Sequence, residues 1–237
     1  METLIKELNE FKKQLPKEEM VKLSDDLLNR LYSVYPFNRF EYIISHLIAN
    51  HVIDMQGYLR IRSEYLTRNK YLHLFEIAPR TFGETWGQRH LTELVPEFQH
   101  PTPLLDSDYK GQYDLWLEGI RVEVKASRAV KRISGATLTE KALSNNSNAK
   151  FNMNFQQIKP ACCDVFVWIA VWRDKIDYWV LTNKEVEENR YYSHGQHRGN
   201  IGEGQLWIKD SNYLEFEPYK VQVRDLYQTI LKKGGKI

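Results

Sequence analysis

The chain has 237 residues, 42% of them hydrophobic and 27% charged, a composition that argues against disorder and suits one large domain or a core with a helical extension. No apolar run approaches the roughly 18 residues of a membrane span, and the mixed-charge opening METLIKELNEFKKQL is not a signal peptide, so the chain reads as soluble and cytoplasmic. Two adjacent cysteines, Cys162 and Cys163, are too few for a disulfide framework or a four-ligand cluster, and a net charge of +2 forces no sign on a partner.

In chain order, apolar residues at 4, 5, 8, 11 and 15 predict an amphipathic helix stopped near Pro16. Ser24, Asp25 and Asp26 begin a second predicted helix that ends before Pro36. A third is expected over 37–52 and a fourth over 63–78, with MQGYL as the glycine-containing turn between them. After Pro79 the character changes. A helix over 83–94 carries Glu84 in its first turn, and a Pro- and Asp-rich loop leads to a hairpin at 113–127. The polar segment 133–150 reads as loop with a short helix. NFQQIKPACC, with Gln157, reads as a helix capped by Asn152 or Asn154 and disturbed at Pro160. DVFVWIAVW is a strand buried on both faces, KIDYWVLT the strand beside it, and Trp168, Trp172, Tyr178 and Trp179 are core. The stretch 190–208 reads as a Gly- and His-rich loop entering a strand, and 219–233 as a strand or bend and a C-terminal helix. The expectation is an α+β (α/β) fold: a helical region over 1–78, then a core over 79–237 with a mixed central sheet flanked by helices on both sides.

The hairpin YDLWLEGIRVEVKAS carries the chemistry. With Glu118-Gly119 as a two-residue turn, Leu117 faces Ile120, Trp116 faces Arg121, Leu115 faces Val122 and Asp114 faces Glu123. Alternation puts Leu115, Leu117, Ile120, Val122 and Val124 on one face, and Asp114, Trp116, Arg121, Glu123 and Lys125 on the other. Two opposed carboxylates repel. A nearby base, a shared proton or a divalent cation resolves that, and a surface charge ladder with Arg121 and Lys125 is the plain alternative. Asp106, Asp108 and Glu84 precede the hairpin as further acids, and the Val124 carbonyl is a third oxygen for a hard cation.

Asp114 followed by Glu123-Val124-Lys125 at a strand end resembles the PD-(D/E)xK nuclease superfamily, over roughly residues 80 to 182. Tyr113 stands where the family's nominal proline would be. The resemblance implies a restriction-endonuclease-like fold. It also implies Mg²⁺ on Asp114 and Glu123, Lys125 positioning or activating the attacking water, and Glu84 as an additional acid, though a helix N-terminal Glu is also favoured by the dipole. The absence of a GxxxxGK[ST] loop argues against ATP use, and the lack of a cysteine cluster against iron–sulfur exonuclease relatives. A type II restriction endonuclease cutting double-stranded DNA as a homodimer is the leading reading. A structure-specific repair or recombination nuclease and a non-catalytic DNA-binding module are the alternatives. For DNA contact, Arg128, Lys131 and Arg132 are phosphate neighbours, His194, Gln196, His197 and Arg198 offer base contacts, and Gln157 is a further candidate. Arg60, Arg62 and Arg68, in a faint helix-turn-helix, suit the backbone.

Overall fold

The structure, a computed structural model, describes residues 2–17, 38–195 and 202–237. The helix expected to begin at Asp25 lies outside the described residues. Two compact units form, Met1–His73 and Leu74–Ile237, so the boundary falls at 73/74 where 78/79 was expected.

The first unit contains α1 (Glu2–Lys12), α2 (Asn38–Ala49) and α3 (Met55–Arg68). Leu8, Leu15, Ile43, Ile44, Leu47, Ile53, Ile61 and Tyr65 form its core. The helix expected over 63–78 begins at Met55 and ends at Arg68. The reason is a cap: the Asp54 side chain accepts the Gly57 N–H at 2.7 Å, which satisfies an otherwise orphaned donor. MQGYL is therefore the first turn of the helix. The reversal sits before it, where His51 takes a φ of 57°. After α3 the chain makes a 3-10 turn at Leu72–Phe75.

The second unit opens with one helical run: a turn at Pro79–Thr81, a π-helical turn at Phe82–Trp86, and α4 (Gly87–Leu94). The strands are β1 (Leu115–Leu117), β2 (Ile120–Arg128), β3 (Val130–Lys131), β4 (Phe151–Ile158), β5 (Val165–Val171), β6 (Ile176–Thr182), β7 (Tyr192–Ser193), β8 (Gly204–Lys209) and β9 (Lys220–Val221). Short helices α5 (Leu138–Lys141) and α6 (Asn183–Glu187) each start with a capping box, and α7 (Leu226–Lys233) follows β9. The strands form a five-stranded sheet, β1-β2-β5-β6-β9, and a four-stranded sheet, β3-β4-β8-β7. β2 and β5 run parallel and the other pairs antiparallel. The fold is thus mixed α and β, with two sheets where one was expected.

Side-chain alternation explains the layering. One face of the five-stranded sheet carries Val124, Ala126 and Ile169 toward α4. Gly87 faces the sheet there, and a Cβ on it would be in van der Waals contact with Ala126, Val124 and Ile169. The opposite face carries Phe166, Trp168, Trp179 and Leu181 into a core shared with Phe151, Met153, Phe155, Leu206 and Ile208 of the four-stranded sheet. Phe155 stacks on Trp168 at 4.9 Å. Helices therefore cover one face and a second sheet covers the other, in place of helices on both.

That second sheet contains the one element whose type was misread. Residues 154–158, expected as the start of a helix, belong to β4. Phe151, Met153 and Phe155 are buried and alternate with Asn152 and Asn154, which is a strand period. The register then shifts between Phe155 and Ile158, with Gln157 at φ 55°. The extra residue returns Ile158 to the core and breaks the alternation that would have marked the strand. The β1–β2 hairpin matches its expected register at all three pairs. Glu118 (φ 48°) and Gly119 (φ 88°) are both left-handed, the turn that suits a two-residue hairpin. Among the described residues no helix is long and apolar enough to cross a membrane.

The contact between the sheets makes a stability prediction. Phe155 is 1% exposed, so Phe155→Ala should cost about 3–5 kcal/mol in chemical denaturation; a loss under about 1 kcal/mol would contradict this packing.

Candidate metal centre

Asp114 stands where β1 gives out. Strand pairing ends at Leu115 and Val122. Beyond it the Asp114 N–H donates to the Val122 carbonyl at 3.2 Å, and Asp114 Oδ2 accepts the Val124 N–H at 2.8 Å. The carboxylate thus takes over an inter-strand bond that a main-chain carbonyl would have made. The other oxygen, Oδ1, accepts from Gln88 Nε2 of α4 at 2.6 Å. Because N–H and C=O of a strand residue point the same way, the Val124 carbonyl lies on the Asp114 side of β2.

Glu123 is only 8% exposed. Lys125 lies two residues on and shares its face, with Nζ 2.7 Å from Glu123 Oε1. Burial raises the Glu123 carboxyl, Lys125 pulls it back and the neighbouring Asp114 raises it again, leaving it at about 7. Asp114 is also raised, chiefly by burial, against the Val124 N–H and the Lys125 charge. At Lys125 burial favours the neutral amine, but Glu123 more than offsets this and holds the lysine above its ordinary value. The three hairpin residues therefore meet, the half-buried Asp114 and the buried Glu123 as a carboxylate pair with one ammonium.

The other acids go elsewhere. Asp106 accepts from the Tyr113 hydroxyl at 2.9 Å and from Arg121 Nε at 2.8 Å, and Asp108 lies 3.8 Å from Arg121. This clamp holds the loop to the hairpin, so Arg121 is committed to Asp106, and of the alternative charge ladder only the Lys125–Glu123 pair forms. Glu84 is exposed and ion-paired with Arg80 at 2.9 Å. It lines the same cavity as Asp114, but the residue of this helical run that touches Asp114 is Gln88. Nothing in the sequence marks Gln88 beyond its being a polar side chain four residues after Glu84.

A cavity of about 1210 Å³ opens beside the hairpin, its wall including Asp114, Val124, Lys125, Asn152 and Asn154. Lys131, Arg132 and Lys141 line it too, and none of the three forms an ion pair among the described residues. Arg128 differs from the expected phosphate neighbour. It is 7% exposed, donates to the carbonyls of Phe75 at 3.2 Å and Ile77 at 2.8 Å, and lies 4.0 Å over the Phe82 ring. Burial lowers its pKa to about 10. It ties β2 to the segment before the helical run. Gln157 is exposed and lines the cavity. His194 is exposed, edge-on to Tyr192 at 4.9 Å. Gln196, His197 and Arg198 lie outside the described residues. In the first unit, Arg60 and Arg68 pair with Glu64 at 3.2 and 3.4 Å, and Arg62 donates to the Tyr58 hydroxyl at 3.1 Å.

Among the described residues no group of three or more His, Cys, Asp and Glu side chains gathers to hold a metal. The hairpin supplies two carboxylates and one main-chain carbonyl, all hard oxygens. That donor set fits Mg²⁺, which keeps several waters and commonly takes only one or two protein carboxylates. It does not fit Zn²⁺, which favours Cys and His.

Searched for relatives, the chain matches no family model, no curated protein and no solved structure.

The raised Glu123 carboxyl has a measurable consequence. Folding binds its proton more tightly than the unfolded chain does, so its stabilising contribution is complete below about pH 4.5 and is lost as pH rises through about 7. In EDTA the melting temperature should fall across that window, and Glu123→Gln should flatten the fall. An equal slope in both proteins would contradict the burial of this carboxyl.

Proposed function

We propose that the chain is a Mg²⁺-dependent type II restriction endonuclease that hydrolyses double-stranded DNA at a short specific sequence. The observation that carries this reading is the hairpin itself: Asp114 and Glu123 adjoin at the end of β1, with Lys125 Nζ 2.7 Å from Glu123, beside a cavity whose lining includes Lys131, Arg132 and Lys141, none of them ion-paired among the described residues. The order Asp114, Glu123, Val124, Lys125 resembles the PD-(D/E)xK pattern. The site suits a polyanion whose phosphate must be brought against a hard cation.

In this reading Asp114, Glu123 and the Val124 carbonyl would hold Mg²⁺, which when bound acidifies its water and stabilises charge on the phosphate. Gln88 fixes the rotamer of Asp114 by its hydrogen bond to Oδ1. Lys125 neutralises Glu123 in the metal-free protein. With the carboxylates holding the metal, Lys125 would be free of that role and its ammonium would orient a water or a phosphate oxygen. Lys131 and Arg132 grip the backbone, which positions the duplex without reading it. One centre per chain and two strands to cut call for a homodimer.

Incubation with long phage DNA tests the reading. Mg²⁺ should give discrete fragments and EDTA none, while Lys125→Ala and Glu123→Ala should each slow cleavage by at least about 100-fold. Uncut DNA in every condition would overturn the nuclease reading, and a smear with the same metal dependence would overturn its site specificity alone.

A further inference from the structure

Two buried amide oxygens stand beside the centre without a partner. On β4, Asn152 and Asn154 are two residues apart and share a face, and both line the cavity that holds Lys125. The Oδ1 atom of each is buried and accepts no hydrogen bond from the described residues. Buried acceptors are ordinarily satisfied, and a pair left open on one strand calls for an explanation. The other unpartnered side-chain atoms are on residues that do not line the cavity. Across the ladder, β8 sets Trp207 opposite Asn154, and Trp207 also lines the cavity.

We infer that Asn152 and Asn154 read base edges in the DNA held at this site, and that the bases they read are adenines of A·T pairs. This rests on the nuclease reading above and assigns its specificity to β4. An asparagine amide offers one acceptor and two donors, and once a turn about its terminal torsion brings the buried Oδ1 out to the cavity it matches the N7 acceptor and N6 donor of adenine as a bidentate pair. Trp207 beside Asn154 provides the apolar surface that a thymine methyl needs. The division of labour follows from the chemistry. Lys131 and Arg132, as point and fork charges, hold phosphates of any sequence, whereas uncharged amides discriminate by pattern. The bulge at Gln157 ends this amide row by breaking the alternation.

Selection from randomised duplex DNA tests the inference. The full chain is used in Ca²⁺, a hard cation that takes the same oxygen ligands, and bound duplexes are sequenced. The wild type should enrich a motif containing A·T pairs. Asn152→Ser and Asn154→Ser should each relax the preference at an A·T position by about tenfold or more, with affinity for unselected DNA retained. Asn154→Asp, which keeps the shape but removes the donors, should relax the same position, and thermal melting should show all three variants folded. Lys131→Ala, in contrast, should weaken all sequences alike. The inference is overturned if the variants enrich the wild-type motif unchanged, or if the wild type enriches none, since the amides would then hold only water. A wild type that selects a motif but never cuts in Mg²⁺ would overturn the nuclease reading and leave this inference standing.

Discussion

The structure turns on the point where β1 stops. If β1 extended back two residues, to Tyr113, Asp114 would be an ordinary strand residue and the Val124 carbonyl would be used up in the ladder. Instead the chain splays, and the Asp114 carboxylate takes the Val124 N–H at 2.8 Å. This costs a backbone pair and places a carboxylate against a second one that is 8% exposed. Buried like charges are unfavourable unless something neutralises them. Burial first, and the neighbouring Asp114 after it, raise the Glu123 carboxyl to about 7, and the single ammonium of Lys125 offsets this only in part. A divalent cation with two positive charges balances the pair where one lysine does not.

The remainder of the second unit holds that hairpin rigid. β2 is paired on both sides, to β1 and to β5, and β5 is buried along its whole length. Aromatic packing between the sheets fixes the far side, with Phe155 on Trp168 and Phe151 edge-on to Trp172 at 4.7 Å. Arg128 anchors the end of β2 through two carbonyls. Gln88 reaches the site from α4, which packs on the sheet at Gly87. A site on a paired central strand, oriented by a helix and a buried arginine, keeps its geometry better than one on a loop.

The hairpin was legible in the sequence because a glycine-containing turn and a period of two determine it locally. That register places Glu123 and Lys125, while Asp114, expected opposite Glu123 in the ladder, reaches the site from just beyond the end of the strand pairing. Less legible was whatever depended on distant partners. β4 carried a bulge at Gln157 that broke the period and invited a helical reading. The covering of one sheet face by a second sheet depends on Phe151, Met153 and Phe155 meeting Trp168 and Trp179, contacts with no local mark. Asp106 and Arg121 both lay near the hairpin, and only the folded loop shows that they bind each other. Arg128 looked like a surface cation in RAVKR because nothing in sequence announced the carbonyls of Phe75 and Ile77 beneath it. Gln88 carried no charge and so no signal.

The most direct measurement is the binding of Mn²⁺, as a paramagnetic stand-in for Mg²⁺, to the protein without DNA, read by the loss of free-ion EPR signal near pH 8. The account predicts saturable binding that Asp114→Asn and Glu123→Gln each abolish while both variants remain folded by circular dichroism. Binding left unchanged by both substitutions, or no binding by the unaltered protein, would contradict the claim that the two carboxylates are opposed in order to hold a cation.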